Sequence, residues 1–350
     1  MLIKDKNQKA ILFVLISFLF FLMAACSDSS DNSDAAEDAE DIEVNEDQTT
    51  VAFIPQVVGI PYFTAMEEGG EKAAEELGAQ FIFNGPTSTS AAEQAQIMDS
   101  LIRRNVDAIS LSVLDSSSTN PMISQAKEAG LSVFTADSDS PDSERDIYVA
   151  QALDKDLGYE LIDRLAAQID NEGKIGIISG ESTVTNLNTW IEYMEERLEA
   201  EYPDIEIVDI RYSQGGSSES ALTEAQDLMT RHQDVDGLVA VSSTTIPGVA
   251  QAVQQAGKAG EVAVIGYGSP ETVKPFIESG VMKESILWDA FDLGYLVVWA
   301  GVQLAEGNEF EEENDVPGLE NPVRYIEEEG VLLLGPPLLI NEDNVDDFDF

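Results

Sequence analysis

The sequence predicts an α/β protein of two similar lobes, each a parallel sheet covered by helices on both faces. From Thr50 onward, short β-branched or apolar runs alternate with amphipathic stretches of helical length, and they do so in two successive series. The chain has 350 residues. About 300 of them follow an unusual N-terminal segment, enough for two domains of typical size. No short repeat runs through the chain, which sets solenoid architectures aside.

The N-terminal segment divides in two. Lys4, Lys6 and Lys9 precede an apolar run from Ala10, and Met23-Ala24-Ala25 leads into Cys26, the only cysteine. A basic start, a short apolar core and small residues before a cut are what an export peptidase needs. The run is shorter than the about 20 apolar residues of a membrane-spanning helix. Residues 1–25 therefore read as a signal peptide and Cys26 as a lipid-attachment site; a lone cysteine can form no internal disulfide. Residues 26–49 are almost entirely Ser, Asp, Glu, Asn and Ala. They hold too few apolar groups to offset the entropy lost on ordering, and their like charges extend them into an acidic tether.

The first βα series places strands at Thr50–Pro55, Gln80–Asn84, Ala108–Ser112, Ser132–Ala136 and Ile147–Ala150. A second series follows at Lys174–Ser179, Glu206–Arg211, Gly237–Val241, Val262–Gly266 and Lys283–Leu287, with a late strand at Val331–Leu334. Helices are expected over Tyr62–Leu77, Ala91–Arg104, Thr119–Ala129, Asp156–Gln168, Thr189–Glu201 and Ser217–Arg231. Gly78, Gly130 and Gly257 fit helix ends, where a left-handed residue is needed.

In open sheets of this kind ligands bind beyond the carboxyl ends of the strands. After the first strand, Gly59 and Pro61 shape a turn from Gln56 into Tyr62 and Phe63. Aromatic rings suit the C–H face of a sugar, supplying apolar area without competing for its hydroxyls, and they serve equally as core. Asp137 and Ser138 follow the fourth strand. A carboxylate there can accept two hydroxyl hydrogens, although Asp also favours turns and caps. In the second series Asn186 and Trp190, Ser242 and Ser243, and Tyr267 follow strands, and Trp288 and Asp289 end the fifth at a crossover between lobes. The Ser-rich segments also fit helix capping.

The formal net charge of −49, from 67 acids against 18 bases, argues against nucleic acid and anionic lipid as partners. The acids are spread over the whole chain, as in a surface adapted to high salt; an acidic lineage bias gives the same composition. His232 is the only histidine and is expected on a surface helix, so a zinc site or Ser-His triad lacks its residues. Neither Gly-rich phosphate-binding pattern follows a strand. Asp137 and Asp139 lie on one loop, a poor arrangement for glycoside hydrolysis, which needs carboxylates on two sides of a bond.

Several stretches together resemble the substrate-binding proteins of ABC importers. They are Ala52–Pro55 with Pro61–Thr64, Asn84–Thr87, Asp137–Asp139, Leu287–Asp289 and the tail from Leu334-Gly335-Pro336-Pro337 to Phe350. Within that family the chain is most similar to the autoinducer-2-binding and rhamnose-binding branch of the ribose-binding-like group. The resemblance implies the type I periplasmic binding protein fold, two Rossmann-like lobes joined by three hinge strands that close over one small polyol without catalysis, cofactor or metal. The lobes would comprise 50–152 plus 288–325 and 153–287 plus 326–350. Autoinducer-2 members grip their ligand with a lysine where this chain has Gln56 and an aspartate matching Asp137. Their Asp-Gln pair corresponds to Asn186 and Leu187, and their proline and alanine of the second lobe to Val241 and Ser243. Losing a charged donor and a carboxylate moves the expected ligand toward a monosaccharide, a rhamnose-like deoxyhexose or a pentose, with an autoinducer-2-like furanose as the other polyol in range.

The expected binding set is Gln56, Tyr62, Phe63, Asp137, Ser138, Asn186, Trp190, Ser242, Ser243, Tyr267, Trp288 and Asp289. Phe63 and Trp288 would sandwich the ring, with Asp289 at the hinge. The implied partners are the sugar, a permease with its ATPase, and the membrane through lipid on Cys26. The protein would be a monomer, exported and anchored on the outer face of the cell membrane or in the periplasm. A receptor passing its closed form to a kinase or chemoreceptor would have the same lobes.

Overall fold

The computed structural model describes Val44, Asn45 and Asp47–Phe348. The signal-peptide and lipidation readings, Cys26 included, and most of the tether lie outside those residues. β1 (Thr50–Ile54) is buried at every position, as its unbroken apolar run requires of a central strand. It pairs in parallel with β2 (Gln80–Phe83) on one side and β3 (Ala108–Leu111) on the other. β4 (Ser132–Ala136) and β5 (Tyr148–Ala150) extend the sheet in parallel. Helices α1 (Pro61–Leu77), α2 (Ala91–Arg103) and α3 (Ser116–Glu128) carry the chain back between strands.

After β5 the chain crosses into a second sheet through α4 (Asp154–Gln168). That sheet runs β7-β6-β8-β9, all parallel, from β6 (Gly173–Ser179), β7 (Ile205–Tyr212), β8 (Gly237–Ala240) and β9 (Ala263–Gly266). Its helices are α5 (Thr185–Glu201), α6 (Ser218–Arg231), α7 (Ile246–Gln255) and α8 (Pro270–Glu278). β10 (Glu284–Leu287) follows, and α9 (Ala290–Glu306) then packs back on α1 and the first sheet. β11 (Glu313–Asn314), β12 (Val323–Ile326) and β13 (Val331–Leu333) complete an eight-stranded sheet of order β11-β12-β13-β5-β4-β3-β1-β2. β14 (Leu338–Asn341) pairs antiparallel with β10. The chain thus passes between the sheets three times, after β5, after β10 and after β13.

The architecture is the α/β arrangement expected, with local corrections. The division that puts 326–350 with the second lobe is drawn too early. β13 pairs in parallel with β5, so the return to the second sheet begins after Leu333. α3 starts three residues before the expected Thr119 because Asp115 caps it, accepting from Ser118 N at 2.8 Å. α5 starts at Thr185 rather than Thr189; its first turn is mostly polar, so hydrophobic periodicity alone does not report it. His232 follows the end of α6 instead of lying on it. No described helix is long and apolar enough to cross a membrane.

One helix crossing sets the geometry of the first lobe. α9 has eleven buried residues, and its backbone meets that of α1 through glycine on both sides. A methyl added to Gly69 would sit 1.9 Å from Phe291 O, and one added to Gly294 would sit 2.0 Å from Met66 O. Only the missing side chains allow this approach. The crossing holds Tyr62 and Phe63, at the start of α1, beside Trp288 and Asp289, which lead into α9.

Candidate ligand-binding cleft

The carboxyl ends of the strands of both sheets open on one cavity of about 500 Å³. Gln56, Tyr62 and Phe63 come from beyond β1, Asp137 from β4, Asn186 and Trp190 from α5 after β6, Ser242 and Ser243 from β8, Tyr267 from β9 and Trp288 from β10. Ten of the twelve expected side chains therefore line it.

Ser138 and Asp289 do not. The Ser138 hydroxyl turns into the protein and donates to Val113 O at 2.7 Å. Asp289 caps α9, accepting from Asp292 N at 2.9 Å, which explains its place at the crossover without a ligand. The reading as loop or cap residues, which Ser and Asp always invite, is the one these two follow.

Asp137 is the centre of the first-lobe face. It is 4% exposed and has φ 66°, a left-handed conformation that Asp tolerates better than most side chains. Its backbone is held from three sides. Asp137 N donates to Val149 O (3.2 Å), and its carbonyl accepts from Tyr148 OH (3.1 Å) and Gln151 Nε2 (3.1 Å). The carboxylate accepts from Tyr62 OH at 2.6 Å and from Ser112 Oγ. Tyr62 Oη in turn accepts from Trp288 Nε1 at 2.8 Å. Burial pushes the Asp137 carboxyl up to about 6, against the lowering effect of the Ser112 and Tyr62 donors. Burial, then the Asp137 charge, raises the Tyr62 phenol well above its ordinary value, so it stays a donor.

Gln94, a residue the sequence reading passed over, braces this face from below. It is 2% exposed, and its Nε2 donates to Ser112 O (2.6 Å) and Pro55 O (3.3 Å). Its Oε1 accepts from Leu114 N (3.3 Å), tying the ends of β1 and β3 together. Gln56 Nε2 donates to Val113 O at 3.2 Å. Asp139 is taken up by Arg145, whose Nε and Nη2 reach its two oxygens at 2.5 and 2.7 Å. It is therefore not a partner for Asp137 in acid–base work.

The second-lobe face is built differently. Asn186 Oδ1 and Tyr267 OH are buried without a hydrogen-bond partner, as are the hydroxyls of Ser179 and Ser213 at the ends of β6 and β7. Asn186 sits on the first turn of α5 and is 7% exposed. Trp190 Nε1 donates to Asp154 Oδ1 at 2.6 Å. Ser242 closes its own turn, donating to Thr245 Oγ1 at 3.0 Å, while still lining the cavity.

Five rings form the wall between these faces. Ring centroids lie 4.9 Å apart for Tyr62–Phe63, 5.8 Å for Tyr62–Trp288, 4.8 Å for Trp190–Tyr267 and 5.9 Å for Tyr267–Trp288. Trp190 and Trp288 meet at 6.1 Å. At the rim, a methyl on Gly216 of the second lobe would come within 3.9 Å of Thr89 of the first. Thr89 lies in the loop after β2, and its cavity position follows from the same strand-end rule that located the others. The acids Asp137 and Glu181 line the cavity; no Lys, Arg or His does. Among the described residues no group of three or more His, Cys, Asp or Glu is arranged to hold a metal ion.

Residues 51–309 match the family model for the periplasmic binding protein domain. The chain belongs to the periplasmic binding protein family. The D-ribose/D-allose-binding protein of Pseudomonas aeruginosa is 25% identical over 293 residues, which cover 80% of this chain and 89% of that protein. LsrB from Clostridium saccharobutylicum in complex with AI-2 superposes with a TM-score of 0.80 at 26% identity, covering 86% of this chain and all of that one. A solute binding protein of an ABC transporter from Clostridium phytofermentas with bound L-rhamnose superposes with a TM-score of 0.79, covering 86% of this chain and 98% of that one. At 22% identity it bears on the fold alone. Within the family this binding protein falls in the ribose-binding-like group, as its sequence motifs imply.

Proposed function

We propose that the protein captures a small monosaccharide, a rhamnose-like deoxyhexose, a pentose or an autoinducer-2-like furanose, between its lobes and hands it to an ABC permease with its ATPase. The observation that carries this reading is Asp137, a buried carboxylate pinned by Tyr62 and Ser112 at the floor of an aromatic-walled cavity. A carboxylate has about four lone-pair sites, so two donors leave it capacity for ligand hydroxyls. The rings supply apolar area for the C–H face of a sugar, and Asn186 and Tyr267 offer further hydrogen bonds from the other lobe. The groups converge from both lobes, so a ligand satisfying them favours the closed form. No bond of the ligand changes. Export, and attachment through lipid on Cys26, belong to the same proposal, and mass spectrometry of the mature N-terminus tests them.

A thermal-shift screen over monosaccharides and autoinducer-2 tests the ligand class, because a saturating ligand adds stability by mass action. With the best hit, Asp137→Ala is expected to weaken binding at least about tenfold by calorimetry. Unchanged affinity would remove Asp137 from the site.

A further inference from the structure

The charge of the cleft is one-sided. Asp137 lines the cleft with no Lys, Arg or His in the lining, and Asp154 accepts from the lining residue Trp190 without lining it itself. The donors they do have are neutral: Tyr62 and Ser112 on Asp137, Trp190 on Asp154. Asp139, the next carboxylate along the chain, has its own guanidinium, whereas Asp137 has none. A buried charge without a partner is costly, and one more neutral hydroxyl leaves it uncompensated.

Two further observations point the same way. Asn186 Oδ1 is an acceptor with no donor, buried on the opposite wall. Tyr62, Phe63, Trp190, Tyr267 and Trp288 all line the space between, and aromatic rings attract cations. The indole of Trp190 donates its N–H to a carboxylate, which makes its ring face more electron-rich. An ammonium group supplies three donors and the missing charge at once.

We infer that the natural ligand is a sugar bearing a protonated amine, an amino-deoxy sugar whose ammonium group lies between Asp137 and the aromatic wall. This rests on the reading that the cleft captures a sugar and goes beyond its neutral candidates by adding a charge. Asp154 then acts through Trp190, as a positioning residue, without touching the ligand.

Calorimetry near neutral pH on the full protein decides it. Glucosamine, galactosamine, mannosamine, 3-amino-3-deoxyglucose and 6-amino-6-deoxyglucose are each titrated beside the neutral parent hexose and the N-acetyl derivative, which keeps the shape but not the charge. At least one amine is expected to bind about tenfold or more tighter than both its parent and its acetamide. Asp137→Asn should bring that preference down to about threefold or less, since it retains the hydrogen-bonding shape and drops the charge. Neutral sugars binding as well as or better than every matched amine would overturn the inference and leave sugar capture standing. If no carbohydrate binds at all, both fall.

Discussion

The two faces of the cleft are finished to different degrees. On the first lobe the groups around Asp137 are wired: Trp288 donates to Tyr62, Tyr62 and Ser112 to Asp137, and Gln94 ties the strand ends beneath, while among the described residues the Ser110 hydroxyl on β3 is the one buried side-chain group there without a partner. On the second lobe Asn186 Oδ1 and the hydroxyls of Tyr267, Ser179 and Ser213 have no partner in the protein. Preorganised groups cost little to hold in place when a ligand arrives. Unpaired buried groups cost stability in its absence, and return that energy only on binding. On the proposed reading the first lobe is an assembled anchor, and the second a surface that a ligand would complete.

The largest expected effect breaks the wired face at its foundation. Gly294→Val places side-chain atoms where Met66 O already lies, forcing α1 and α9 apart. A loss of about 3 kcal/mol or more is expected, measured by chemical denaturation, with Tyr62 drawn off Asp137 and binding abolished. Full retention of both would show that the crossing does not support the site.

Acid is the next lever. The Asp137 carboxyl is raised from 3.8 to about 6 by burial, so the folded state holds its proton more tightly than the unfolded chain does. Stability from this group is present below about 4, falls as pH rises toward about 6, and is level above that. The shift corresponds to a contribution on the order of 3 kcal/mol. Unfolding curves across that window should show the ligand-free protein gaining stability on acidification, and Asp137→Asn should flatten the gain. Identical slopes for the two proteins would mean that the rise has another source, such as relief of surface repulsion.

A matched pair of tyrosine variants sharpens the contrast between faces. Tyr62→Phe removes a donor from Asp137 and an acceptor from Trp288, and should destabilise the ligand-free protein by about 1–3 kcal/mol. Tyr267→Phe deletes a hydroxyl with no partner, so its stability should stay within about 0.5 kcal/mol of the parent or rise. Affinity for the best ligand should nevertheless fall in both. Equal destabilisation by the two changes would erase the distinction between the lobes.

Most of the architecture was legible because it is written locally, in alternating apolar runs and helical stretches, and in the rule that ligands sit beyond strand ends. That rule points to Asp137, Asn186, Tyr267 and Trp288, all of which line the cavity. What it could not supply was side-chain direction. Ser138 follows Asp137 in sequence yet turns to Val113 O, a choice set by one left-handed residue and the loop after β3, 25 positions back. The hydrogen bond from Trp190 to Asp154 leaves no trace in the sequence because the two lie 36 positions apart, across a helix pair. Gln94 reads as one polar residue of an amphipathic helix until the loops it braces are seen beside it. β13 was placed as a strand, but only its pairing with β5 tells which sheet it joins.

The placement of the indoles has a practical corollary. Of three tryptophans, Trp190 and Trp288 meet edge-on in the cavity lining, while Trp299 packs beside Phe310 away from it. Opening the lobes would alter the optical surroundings of the first pair and leave the third as an internal standard. If a ligand closes the lobes, intrinsic emission would gauge occupancy without any attached dye.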